Sequence, residues 1–309
     1  MTVYVRLMGG LGNQLFQLSA AISLTRTRDE NIVVFDSSTK KETAIADRWF
    51  SPLLLDGRFR IGQKKFFYLE NYLVRMSLSN RDVSTKIYRL AEKIVEWHMK
   101  WKFREDIRVF TPSNLGYQVI DKEYASVYLN GYFQTYKYLS DKPDVAKFIA
   151  NCLKKNECNV VSRNIETILK EGRGIAIHVR LGDYLLNPHF GNLNGKYFMK
   201  SLDFISQKAG IDKIYLYSDD IKSAHELLDC LPQKLVILDE CSHGAVCVLR
   251  QMMHHNIFII SNSSFGWWAA FLSSQYPKTV IAPSPWFRDI DDPHSLIPPD
   301  WKIFPANWR

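Results

Sequence analysis

Apolar and polar positions alternate most regularly in the second half of the chain. In IAIHVRLGDY, Ile175, Ile177 and Val179 alternate with Ala176, His178 and Arg180, so an extended segment projects His178 and Arg180 from one face. Gly182 then permits a sharp turn that returns Asp183 beside them. Further strands are read at 213–217, 235–238, 257–260 and 279–281, with helices near 196–208, 221–231, 244–254 and 265–272. Such strand–helix alternation predicts an α/β domain with a parallel, doubly wound sheet. Ligands of these sheets bind outside the carboxyl ends of the strands. Here those ends carry His178 and Arg180, then Ser218-Asp219-Asp220, then Asp239, then Ser261-Asn262-Ser263-Ser264.

The first half opens with an apolar strand, Val3 to Leu7, followed by the glycine turn 8–12 and a helix from Asn13 to about Arg28 with Leu15, Leu18 and Ile22 as its buried stripe. Gly10 and Gly12 begin a dinucleotide fingerprint, but Leu15 stands where the third glycine belongs. Tight strand–helix packing explains the glycines as well as a ligand does, whereas the amides of Asn13 and Gln14 have little packing reason to be at such a loop. A second strand ends in Asp36, and a third, 126–129, runs into Asn130-Gly131-Tyr132-Phe133-Gln134. That bend, with Tyr132 and Gln134, offers aromatic and amide groups of the kind that face sugars, and aromatics packing a core edge are the alternative reading.

At 309 residues the chain suits two cores better than one, and the polar stretch 154–174 is the expected crossing between them. No run of about 18 apolar residues occurs and the first residues already read as core strand, so neither a membrane span nor a signal peptide is expected. Five cysteines without CxxC pairing fit buried thiols in a reducing, cytoplasmic setting, and no metal site is read from them.

The net charge of +8 concentrates in 64–108, which holds 11 Lys or Arg against 6 Asp or Glu. Within that segment Val83, Ile87, Leu90, Ala91, Ile94 and Trp97 or His98 recur at helical spacing, with Lys86, Arg89, Lys93 and Lys100 on other faces. A surface helix of the first domain is one reading. Contact with anionic lipid at the inner membrane, or with an acidic glycan, is the other. Nucleic acid is excluded as a partner, because no nucleic-acid module accompanies the charge.

Each strand end has a chemical reading. Arg180 beside Asp183 and His178 reads either as an anion-binding group whose cation is held by its own counter-charge, or as a structural ion pair capping the strand with His178 a core residue. The Ser261 to Ser264 cluster precedes a helix, where hydroxyls and unbonded N–H groups suit a phosphate; simple capping needs one such residue. One of Asp219 and Asp220 caps the helix from Ile221, and the other is left to accept hydrogen bonds from a guanine ring edge.

Five blocks then stand out in one order over most of the chain: GGLGNQLFQ at 9–17, GYFQ at 131–134, HVRLGDY at 178–184, YSDD at 217–220 and SNSSFGWW at 261–268. With them the sequence resembles the bacterial α-1,2-fucosyltransferases of glycosyltransferase family 11. The resemblance implies a GT-B architecture, two Rossmann-like domains facing across a cleft, with 1–165 on the acceptor side and 166–309 binding the donor. It further implies GDP-L-fucose as donor, inversion at the anomeric carbon, no cofactor or metal, and a β-galactose hydroxyl of a surface polysaccharide or oligosaccharide, as in lipopolysaccharide biosynthesis. By the same resemblance Arg180 binds the donor diphosphate, with His178 and Asp183 in the same motif. Gly10, Asn13, Gln14, Ser218, Asp219, Asp220, Asn262, Ser263, Ser264 and Phe265 contribute to donor binding. Many members carry a second arginine where this chain has Leu181.

As the sugar leaves, negative charge gathers on the diphosphate, so Arg180 is expected to hold the transition state more strongly than the ground state. The base for the acceptor hydroxyl is left open between Asp183 and His178. Two other readings stand beside this one: a metal-dependent transferase using Asp289-Ile290-Asp291, and a non-catalytic sugar or nucleotide binder on the same scaffold.

Overall fold

The computed structural model describes residues 1–25, 30–36, 57–62, 73–74, 85–112, 115–120, 124–140, 142–154, 158–171, 174–186, 188–207, 210–211, 213–229, 231, 234–238 and 244–309. Val83 and Asp239 lie outside the described residues, as do Cys230 and Cys241, whereas Cys152 and Cys247 are buried. Contacts divide the chain into two units, Met1–Lys155 with Asp291–Leu296, and Asn156–Ile290 with Ile297–Arg309.

The first unit is built on five parallel strands: β1 (Thr2–Leu7), β2 (Asn31–Asp36), β3 (Phe59–Ile61), β4 (Ile107–Phe110) and β5 (Ser126–Leu129), in the order β3-β2-β1-β5-β4. Central β1 is buried from Val3 to Leu7, as a strand covered on both faces is. Helix α1 (Leu11–Leu24) is buried almost all round, packing on β1 and on α3 (Lys137–Ser140) and α4 (Pro143–Lys154). It ends at Thr25, whose hydroxyl donates to the Ile22 carbonyl, while the Lys142 ammonium donates to the carbonyls of Ser23 and Thr25. A cation at that carboxyl end complements the helix dipole.

Helix α2 (Thr85–Phe103) corrects the sequence reading of its buried side. Val95 and Met99 enter the core with Tyr4, Phe35, Val109 and Tyr128, and Ala91 packs against them. Ile87, Leu90, Ile94 and Trp97, expected to share that buried face, are exposed. The segment Asp291–Leu296 also belongs here: the Tyr117 and Tyr136 N–H groups donate to the carbonyls of His294 and Ser295 at 3.2 and 3.1 Å.

The second unit begins with α5 (Asn159–Glu171), so the polar stretch read as a crossing is largely a helix. Val161, Asn164 and Ile168 form its buried stripe. Six parallel strands follow: β6 (Gly174–Val179), β7 (Lys213–Ser218), β8 (Lys234–Val236), β9 (Ile257–Ile260), β10 (Thr279–Ser284) and β11 (Lys302–Pro305). Between them lie α6 (Gly195–Ser206), α7 (Ile221–Leu228), α8 (Ala245–Met252) and α9 (Ser264–Leu272). The order β11-β10-β9-β6-β7-β8 is that of a doubly wound dinucleotide fold, and its winding reverses between β6 and β9. Pairing His178 with Ile260 aligns the ends of those two strands. Both units are thus Rossmann-like, the composition of a GT-B chain. Sequence reasoning missed β11 because its short stretch follows a proline-rich segment that reads as turns.

Candidate active site

The winding reversal in the second unit is where a ligand site is expected, and the residues there can be built up strand by strand. Arg180 leaves the end of β6 and enters a two-carboxylate clamp. Its Nε and Nη2 donate to Asp183 Oδ1 at 3.0 and 2.6 Å, and Nε lies 3.3 Å from Asp219 Oδ2. The guanidinium also lies over the Tyr184 ring, 5.6 Å from its centroid. Held in this way on one edge, the planar fork leaves Nη1 to meet an anion. Asp183 reaches Arg180 from the 3-10 turn Gly182–Leu186, which Gly182 allows by lying close against Asp219: a Cβ there would stand 2.3 Å from Asp219 Oδ2.

Asp219 does more than the sequence suggested. Its Oδ1 accepts the Leu181 N–H at 3.0 Å, so one carboxylate fixes both the backbone after β6 and the arginine. Asp220 caps α7, accepting the Ser223 N–H at 3.1 Å. Both carboxylates therefore have structural partners, and Asp219 also lines the cavity described below. Ser218 spends its hydroxyl on the same turn, donating to the Asp220 carbonyl and accepting the Asp220 N–H. Leu181, where a second arginine was in question, is buried in the core against Val179 and its neighbours.

His178 is buried, bonded through Nδ1 to the Ser261 hydroxyl at 3.1 Å, and packed against Phe265 at 5.6 Å between ring centroids. A Cβ on Gly266 would lie 2.9 Å from that Nδ1, so the glycine allows α9 to close on the imidazole. Burial, with the nearby positive charge of Arg180 second, pushes His178 down to about 3. It is therefore neutral and a weak proton acceptor near pH 7, and it ties β6 to β9. His255, bonded to the Tyr217 hydroxyl at 2.9 Å, is likewise pushed down to about 3 by burial.

An unfolded chain protonates these two imidazoles near pH 6.5, roughly. The folded chain does not until about pH 3. Between those values unfolding takes up protons, so stability falls as pH is lowered through the window and the penalty is absent above it. At pH 5 each imidazole is expected to cost about 2 kcal/mol relative to pH 8. Denaturant titrations from pH 8 to 5 check this. His255→Gln should remove about half of the slope, and a flat profile in the parent chain would refute the assignment.

From β9, Asn262 is fully buried. Its Nδ2 donates to the carbonyls of Phe190 and Gly191 at 2.9 and 3.1 Å, and its own carbonyl accepts the Tyr184 hydroxyl at 3.0 Å. Its Nδ2 thus ties the loop at 190–191 to the end of β9, and its Oδ1 is buried with no hydrogen bond among the described residues. Ser263 is the cap of α9, accepting the Phe265 N–H at 3.4 Å. Ser264, partly exposed in the first turn, keeps its hydroxyl without a hydrogen bond among the described residues.

These ends border a cavity of about 380 Å³ entirely within the second unit. Among its described lining residues, Arg180 is the one Lys or Arg, with His178, Ser218, Asp219 and Phe265 beside it. The far wall is apolar, from Leu216, Ile221, Ile237, Leu238 and Val248, and ends at Gly244 and Ala245, the start of α8. Sequence reasoning missed Gln251 on this wall. It is buried, and its amide makes no hydrogen bond among the described residues. A lone amide on an otherwise apolar helix face was the available signal. The volume, one apolar slot, one unspent amide and one clamped guanidinium suit a nucleobase joined to an anionic group.

The corresponding position in the first unit lies at the ends of β1 and β5. Gly9 adopts φ +72, and a Cβ there would meet Asn13 Nδ2 at 2.6 Å; at exposed Gly10 a Cβ would meet nothing within 4 Å. The amides have structural work after all. Gln14 Nε2 donates to the Gly9 carbonyl at 3.0 Å, the neighbouring Gln17 brackets Met8, and Asn13 Oδ1 accepts from Gln134 Nε2 at 2.8 Å. The Oε1 atoms of Gln14 and Gln134 are buried without a hydrogen bond among the described residues. Gly131 lies against Pro112, where a Cβ would be 2.6 Å from Cδ, and Tyr132 is partly buried with the charge of Arg6 nearby. Arg6, buried and bonded to Asn130 at 3.4 Å, was hidden in what reads as an apolar strand.

Of the aspartates of the metal-dependent reading, Asp289 faces His189 Nδ1 at 3.5 Å and Asp291 is exposed. Among the described residues no group of three His, Cys, Asp or Glu side chains is placed to hold a metal.

The chain is 27% identical over 300 residues to the O-antigen biosynthesis glycosyltransferase WbnK of Escherichia coli, covering 92% of this chain and 95% of the relative. It is 22% identical over 301 residues to an alpha-1,2-colitosyltransferase of the same organism, covering 93% and 92%. Among solved structures it is similar to NodZ alpha-1,6-fucosyltransferase soaked with GDP-fucose, with a TM-score of 0.47, 14% identity and coverage of 88% and 92%. The Glycosyl transferase family 11 profile matches residues 2–301, and the chain belongs to that family of glycosyltransferases.

Proposed function

We propose that the protein transfers L-fucose from GDP-β-L-fucose, with inversion, to a hydroxyl of a β-galactose-containing glycan, forming an α-1,2 linkage. The observation that carries this reading is Arg180, fixed by Asp183 and Asp219 on the wall of a cavity at the β6–β9 reversal. The base occupies the slot between Ile221 and Val248, the diphosphate meets Arg180 and the first turn of α9 with Ser264, and Phe265 closes the side. As the glycosidic bond to GDP breaks, its electron pair passes to the diphosphate oxygen, and the preset guanidinium stabilises that charge without reorganising. Protein groups supply the neutralising charge, so transfer is expected to persist in EDTA. Acceptor recognition falls to the first unit, through Tyr132 and Gln134. Two relatives are named for an α-1,2 linkage and for O-antigen biosynthesis, which supports an acceptor among surface polysaccharides.

The test is fucose incorporation from GDP-fucose into a panel of galactosides in EDTA, with the linkage assigned by NMR. Transfer to the 2-hydroxyl of galactose supports the reading, and nucleotide binding without transfer or hydrolysis would favour a non-catalytic binder. Because one relative is named for colitose, which is L-fucose without its 3-hydroxyl, GDP-colitose belongs in the same assay. Its preference over GDP-fucose would move the donor assignment. Gln251 is assigned to the base: Gln251→Leu should lower the preference for GDP over ADP in competition about tenfold, since a buried hydrogen-bonding group discriminates by what it leaves unpaired. An unchanged preference would release Gln251 from that role.

A further inference from the structure

We propose that the outer face of α2 docks the first unit onto an anionic lipid bilayer. Ile87, Leu90, Ile94, Trp97 and Trp101 recur at intervals of three and four along the helix, and each is between 44% and 71% exposed. They form one strip about 21 Å long at the rise of an α-helix. This is a second apolar face, because the core-facing side of α2 is already supplied by Val95 and Met99. Soluble proteins seldom leave such a strip uncovered without a partner.

Charge selects the partner. Arg89 and Lys93 stand exposed along one flank of the strip, with Arg104 exposed just past the helix. The carboxylates of α2 turn elsewhere. Glu96 is 13% exposed and pairs with Arg108 and Lys100 at 3.0 and 3.3 Å, and Glu92 is partly buried. Asp106 beyond the helix is occupied by Lys100 at 2.8 Å. An apolar strip ending in two tryptophans and edged by cations matches the acyl boundary and the anionic headgroups of a lipid surface. A two-fold-related copy of the chain would set the same cationic flank against itself, with no α2 acid to answer it. No described helix is long and apolar enough to cross a membrane, so α2 would lie on the surface.

The proposal does not depend on the donor or the acceptor, and its test is binding alone. The intact chain should co-sediment with phosphatidylcholine vesicles containing about 30% phosphatidylglycerol and much less with phosphatidylcholine alone, the difference shrinking as salt is raised. Trp97→Ser with Trp101→Ser, and separately Arg89→Glu with Lys93→Glu, should each lower the partition coefficient at least about tenfold, with melting temperature and the sedimentation coefficient of the free protein unchanged. No partition into anionic vesicles, or partition that both pairs leave intact, would overturn it. A dimer in solution that the tryptophan pair dissociates would also overturn it, in favour of a second copy on this face.

Discussion

Arg180→Ala is expected to lower turnover with GDP-fucose by roughly 100-fold to 1,000-fold, the usual loss when a preset charge-stabilising donor is removed, with little change in melting temperature. The two halves of that expectation come from different observations. Arg180 contributes little to the core, since its side chain is 29% exposed and its partner Asp183 is 63% exposed, and ion pairs so open to water add little stability. What the clamp leaves over is Nη1, which the proposed function sets against the developing charge. Arg180→Lys should recover only part of the rate, because an ammonium cannot meet Asp183, Asp219 and a phosphate oxygen in one plane. Steady-state kinetics with a thermal melt separate these effects. Near-normal turnover by the alanine variant would remove the assignment.

Replacement of Asp219 should have the second largest effect, and it should divide between stability and rate. Asp219→Ala strands the N–H of buried Leu181 and frees Arg180 on one side. An unsatisfied buried amide costs about 1–3 kcal/mol. Loss of the arginine's alignment adds a fall in turnover of about tenfold or more, as small misplacements of catalytic groups do. Asp219→Asn is the discriminating variant. Its amide oxygen can still accept the Leu181 N–H, so stability should return, whereas its lost charge no longer anchors Nε and the rate should stay low. If asparagine restores both, the carboxylate matters only as a backbone anchor; if it restores neither, the loop depends on the full carboxylate geometry.

These two residues also show how far the sequence could be read. Arg180 and Asp183 are three residues apart across a glycine, so strand alternation and one turn were enough to bring them together. Asp219 reaches the same arginine and the Leu181 backbone from the next strand, a pairing set by β6–β7 register that no local pattern displays. Alternation likewise predicted most of the second sheet, because buried parallel strands and amphipathic helices have different periods. It does not show which polar residues also serve backbone. Asn262 and Gln14 read as ligand groups, and in the fold each also donates to backbone carbonyls, a pairing that no local pattern displays. Helix α2 exposes the opposite weakness. Its periodicity is genuine, but it carries two apolar faces, and spacing alone does not say which one meets the sheet.

The account rests on Arg180 addressing the diphosphate of a guanine nucleotide held in the cavity of the second unit. Calorimetric binding of GDP and of guanosine to the intact chain and to Arg180→Ala tests this most directly. The account predicts that the substitution weakens GDP by about tenfold or more, as loss of a charge-assisted contact does, and leaves guanosine unchanged. Equal weakening of both ligands, or unaltered GDP affinity, would contradict it.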